Sequence, residues 1–156
     1  MKIILVLAVV ATYWNSTIQN TVYKALKGDN VENVDYALST LEKESMDEPL
    51  IRAYKGTLLM KKAGLIKGAF NKLEMFKEGH KLLEDEIQKY PKNTEYRFLR
   101  LTIQEHAPKI LGYNENLEED KLFINQHYQS LSTALKLHVK EYASNSTILN
   151  QSELID

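Results

Sequence analysis

Apolar positions recur along this chain at spacings of three and four residues, the repeat of one face of an α-helix. Ile18, Val22, Ala25 and Leu26 form a first stripe, on a helix opened by Ser16 with Gln19 three residues on, that ends at Gly28. Val31, Val34, Leu38 and Leu41 form a second, opened by Asp29 with Glu32 three residues on. The turn between them is very short, so the two helices are expected to lie antiparallel as a hairpin. Asp47, with Pro49 just inside, predicts a third start. Leu50, Tyr54 and Leu58 mark its buried face, Gly56 permits close approach by a neighbour, and Ala63-Gly64 reads as its end. Residues 65–70 read as an ordered loop. Asn71 and Glu74 then open an amphipathic helix carrying Leu73, Phe76, Leu83, Ile87 and Tyr90.

The densest punctuation falls between Tyr90 and Lys121. Pro91 stops one helix because it lacks an N–H and disfavours helical geometry at Tyr90. Asn93 or Thr94 can cap the next, with Glu95 at its positive end. Tyr96, Leu99, Ile103 and Ala107 share one face, while Phe98 and Leu101 lie roughly opposite. A helix apolar on two sides is expected between neighbours. Pro108 ends it, Gly112 suits a left-handed turn position, and Asn116 with Glu119 starts another helix. Leu117, Ile124, Tyr128 and Leu131, then Leu135, Val139 and Tyr142, continue the pattern, with Ser130, Ser132 and Thr133 as a break. The pattern predicts an all-α domain of about six or seven helices over residues 12–143, stacked as antiparallel hairpins. Residues 144–156 are rich in Ser, Asn and Gln and read as a flexible polar tail.

The first eleven residues differ from the rest. One lysine precedes an unbroken apolar run to Ala11, too short for the roughly 20 residues of a membrane-spanning helix. Residues 1–11 therefore read as a secretory signal peptide with a mature chain starting near Thr12. The alternative is a buried first element of a cytoplasmic domain. Export would place the protein in the periplasm or outside the cell.

Composition narrows function mainly by exclusion. A net charge of −1 offers no electrostatic footprint for nucleic acid. The absence of cysteine removes disulfides, thiol catalysis and thiolate metal sites. The 156 residues, 44% of them hydrophobic, suffice for one core. The four histidines show no metal-binding spacing, and His80 reads as a core or boundary residue between Phe76 and Leu83. No nucleophile elbow or phosphate loop occurs, the acidic runs suit solvated faces or helix starts, and nothing calls for a cofactor or metal.

Arg97, Arg100 and Gln104 form a narrow polar stripe flanked by Tyr96, Phe98 and Leu99. Arginine in such a setting takes a bidentate carboxylate partner. Glu119 or Asp120 can supply it internally; otherwise a guanidinium stays free in a groove for a peptide carboxylate or other anion, with Tyr96 and Tyr113 as groove aromatics.

From Lys77 to Ile103 the chain resembles a tetratricopeptide-type repeat. Gly79 matches the small position of the second helix, Leu83 a large apolar position and Pro91 the proline that ends a repeat; Tyr96, Leu99 and Ile103 would begin the next. Glu86 and Arg100 stand where alanine and glycine are usual. The chain also resembles a group of short, uncharacterised bacterial helical proteins that pair a leader with runs like Arg97-Phe98-Leu99-Arg100, Pro108, Leu111-Gly112-Tyr113 and Glu119-Asp120-Lys121. These resemblances imply a bacterial envelope or exported protein. The expected function is a non-enzymatic module that binds a protein or peptide, without nucleic acid and without a membrane span in the mature chain. The alternatives are an enzyme assembled from His80, His106 and distant acids, and a carrier of a small apolar ligand.

Overall fold

A computed structural model describes residues 17–154 of the chain. The expected leader, the cleavage site near Thr12, Ser16 and the last two residues lie outside the described part. The described residues hold seven α-helices and no strand, so the protein is all-α. Helix α1 occupies 17–27, α2 Val31–Leu41, α3 Pro49–Leu65 and α4 Ala69–Lys89. Helix α5 occupies Thr94–Gln104, α6 Leu117–His127 and α7 Thr133–Ala143. Short 3-10 turns follow α5 at Lys109–Leu111, α6 at Tyr128–Ser130 and α7 at Gln151–Glu153. Among the described residues no helix is long and apolar enough to cross a membrane.

Among helices α2 to α7, the α3–α4 hairpin is the broadest pairing. It depends on two glycines set against one another. A Cβ added to Gly56 would stand 2.6 Å from the Gly79 carbonyl oxygen and 2.8 Å from the Leu83 nitrogen; one on Gly79 would strike the Gly56 carbonyl and Met60. The two backbones touch only because neither residue has a side chain. Helix α5 then runs through the centre. Nine of its 11 residues are buried, all but Glu95 and Arg97, and it packs on α3, α4 and α6. Its two apolar faces put Leu99 and Leu101 in one core with Leu58, Leu83 and Ile124.

Several boundaries differ from those the pattern predicts. The cap of α2 is Asn30, whose side chain accepts from the Glu32 and Asn33 amides, while Asp29 pairs with Lys61 at 2.9 Å. Helix α3 continues through Gly64 to Leu65, because Ala63 is buried and Leu65 packs on the core. The loop shrinks to residues 66–68, Gly68 reverses the chain at φ 91°, and α4 begins at Ala69, ahead of the Asn71–Glu74 pair. Asn93 caps α5 by accepting from the Tyr96 amide at 3.2 Å, and Ser132 caps α7 through the Leu135 amide.

The C-terminal segment corrects the expectation of a flexible tail. Leu149 and Leu154 are buried, and Ile148 packs against the core. Glu153 bonds Lys121 and Asn125, which fastens the segment to α6. A few apolar side chains within a polar stretch, each inserted singly, are enough to hold it.

Candidate functional site

Three α5 side chains spaced about one turn apart meet the start of antiparallel α6. Pro108 and Gly112, the latter at φ 61°, turn the chain so that the acidic end of α6 returns beside α5. Arg100 donates Nε to Asp120 Oδ2 and Nη2 to Asp120 Oδ1, both at 2.7 Å, and Nη1 to Glu84 Oε2 at 3.0 Å. Arg97 donates Nη1 to Glu119 Oε1 at 2.8 Å and to Asp120 Oδ1 at 3.0 Å. Its Nε reaches the Pro91 carbonyl at 2.9 Å, and its guanidinium lies 4.4 Å from the centre of the Phe123 ring. Gln104 Nε2 donates to Asn116 Oδ1 at 3.3 Å.

Asp120 and Arg100 are buried. Burial works against the Arg100 charge, but the hydrogen bonds and charge of Asp120 outweigh it and hold the guanidinium pKa above its ordinary value. Arg97, followed by Asn116, holds Glu119 below the usual carboxylate range. Both guanidinia are thus engaged by internal carboxylates, and the cluster is a helix-to-helix tie rather than an open anion site.

The two aromatics expected in a groove are placed otherwise. Tyr96 is buried with its ring edge-on to Tyr90, and burial, then the Glu86 charge, pushes its hydroxyl up to about 12. Tyr113 is buried too, donating to Glu84 Oε1 at 2.6 Å, with its ring edge-on to Phe76 and His80. Burial and Glu84 raise its pKa. Tyr113 therefore completes the arginine network through Glu84.

Three buried or half-buried carboxylates have partners that their reading as a helix-start acid (Glu95), part of a charge run (Glu86) or an unremarked acid (Glu105) did not anticipate. Glu95 Oε1 accepts from Tyr54 at 2.6 Å, Gln19 at 2.9 Å and Tyr23 at 3.1 Å, joining α1, α3 and α5. Glu105 accepts from Tyr142 at 2.5 Å, Ser146 at 2.7 Å, and the amide and hydroxyl of Thr147 at 2.6 and 2.9 Å. Glu86 accepts from Arg52 at 2.6 Å and Lys89 at 3.1 Å. The available signal was tyrosine on helix core faces, at Tyr23 and Tyr54, since a buried hydroxyl needs an acceptor; sequence does not say which acid supplies it.

The histidines are dispersed. His80 is half-buried beside Phe76 and Tyr113, and His127 stacks on Phe123. His138 stacks on Tyr23 and faces Asn20 Oδ1 at 3.0 Å; His106 tilts against Tyr142. Burial lowers the His138 pKa. Among the described residues no group of three or more His, Asp or Glu side chains is disposed to hold a metal ion.

What the elements do enclose is a groove of about 960 Å³ between α1, α3, α4, α5 and α7. Its apolar lining includes Met60, Phe98 and Ile103 from the core and Leu26, Leu65 and Phe76 around them. Leu73, 41% exposed, and Ile110, 94% exposed, extend this apolar surface to the rim. His106 and His138 line it; His80 does not. Its hydroxyls are engaged: Thr102 donates to the Leu99 carbonyl, and Tyr142 and Ser146 donate to Glu105. Such a lining suits burial of an apolar surface.

Comparison with protein-family models, with curated proteins and with solved structures returns no match.

Proposed function

We propose that the protein is a non-enzymatic binding module that seats the apolar face of a helix from a partner protein in the groove between α1, α3, α4, α5 and α7. The supporting observation is the groove itself, mostly apolar and bordered by charged side chains, with Leu73 and Ile110 standing exposed where a partner would cover them. A row of apolar anchors in a groove is a recurring way to recognise an amphipathic helix. Stacked hairpins of the tetratricopeptide kind present such surfaces. The bacterial envelope is the proposed setting, and N-terminal sequencing of protein from the native cell tests it: a chain starting near Thr12 supports export, and an intact Met1 on cytosolic protein removes it.

A small apolar ligand is the second reading, favoured by a groove volume of about 960 Å³, within the few-hundred to roughly 1,000 Å³ range of small-molecule sites. Methyl NMR spectra of the full chain separate the two, using an amphipathic helical peptide and dodecanoate as probes. The helix-in-groove reading expects the peptide to shift the Leu26, Leu73 and Ile110 methyls, with the effect lost in Ile110→Asp, whose exposure leaves the fold intact. Shifts from dodecanoate alone support the carrier reading. Silence from both overturns the groove as a binding site.

A further inference from the structure

We infer that the helix seated in the groove carries an acidic residue beside its apolar stripe, and that its carboxylate pairs with Lys72. The inference rests on the helix-in-groove reading and specifies its partner. Five charged side chains line the groove: Lys27, Asp29, Lys61, Lys72 and Glu141. Four are matched internally, Lys27 with Glu141 and Lys61 with Asp29. Lys72 forms no ion pair with any described residue, which leaves one uncompensated positive charge in the lining at neutral pH.

Its position gives that charge a consequence. Lys72 is half-buried in the first turn of α4, next to Leu73 and one turn before Phe76, both of which line the groove. A helix covering Leu73 and Phe76 removes water from the Lys72 ammonium. An ammonium desolvated without a partner opposes binding, whereas a carboxylate brought in by the occupant compensates it. A basic occupant meets like charge at the same point. The groove therefore selects by two criteria, an apolar stripe for its floor and one acid for its wall.

Three synthetic helical peptides with one apolar face, differing only in Glu, Gln or Lys at the position flanking the stripe, test this by fluorescence anisotropy against the full chain and its K72Q and K72E variants. The Glu peptide is expected to bind wild type about fivefold more tightly than the Gln peptide, as a partly solvated ion pair gives. K72Q should erase the difference, K72E should shift preference to the Lys peptide, and added salt should shrink both effects. Equal binding of all three peptides to wild type, with the groove methyls still shifted, overturns the charge selection and leaves the helix-in-groove reading standing. Absence of binding by every peptide overturns both.

Discussion

Arg100 grips Asp120 through two hydrogen bonds of 2.7 Å, a bidentate pair buried between α5 and α6. Losing one member leaves the other buried with a single remaining ionic contact, Arg97 for Asp120 and Glu84 for Arg100, so Arg100→Met or Asp120→Asn should each lower stability by up to about 3–5 kcal/mol. The double mutant should fall well short of the sum, because the second change removes the charge left undercompensated by the first. Arg97 with Glu119 is the internal control: Glu119 is 60% exposed, and that pair should contribute less than about 1 kcal/mol. Urea unfolding of both cycles measures the difference, and additive effects at Arg100 and Asp120 would sink the tie.

The glycine contact of α3 and α4 makes an opposite-looking substitution harmful. Alanine favours a helix interior over glycine by about 1 kcal/mol. At Gly56 and Gly79, however, a Cβ meets backbone atoms of the facing helix, at 2.6 Å in the case of Gly56. Gly56→Ala and Gly79→Ala should each cost about 1–3 kcal/mol through overpacking. Gly64→Ala, where a Cβ meets open space, should be neutral or stabilising. Thermal melts of the three variants give the comparison.

Glu105 should shape the acid limb of stability. Burial opposes its charge, yet the donors from Ser146, Tyr142 and Thr147 together hold its pKa below the ordinary 4.5. A depressed carboxylate contributes stability that is present above 4.5 and lost as pH falls through the folded-state value. Glu105→Gln should lower stability at neutral pH by about 1–3 kcal/mol, because the amide no longer accepts all these donors. It should also flatten the loss of stability below 4.5. A pH series of unfolding midpoints for wild type and variant decides this; parallel curves would count against it.

The C-terminal segment should behave as part of the core. Leu149 is 1% exposed, and Leu149→Ala should cost about 2–5 kcal/mol. Hydrogen exchange should show protection at the Leu149 amide, which donates to Ser146 Oγ. Rapid exchange there and a neutral substitution would restore the picture of a loose tail.

By itself the sequence determined the helices. The three-to-four spacing of Leu, Ile and Val, the prolines at 49, 91 and 108, and Asn93 at a helix start are local signals, and local backbone physics reads them directly. It also marked α5 as a helix with two buried faces, because an apolar face opposite another has few uses except between neighbours. The tertiary structure decided what those faces meet. Whether Arg100 stays free for a ligand or takes Asp120 depends on where Pro108 and Gly112 send the chain, a direction set by small dihedral differences summed over a dozen residues. Glu84, Glu95 and Glu105 look like ordinary surface acids in the sequence. They gained partners only when Tyr113, Tyr54 and Tyr142 arrived from distant helices with hydroxyls to satisfy. The groove was invisible for the same reason: Leu26, Phe76 and Ile103 are core-type residues on three separate helices, and whether the space between them is filled or open is a matter of how the helices pack.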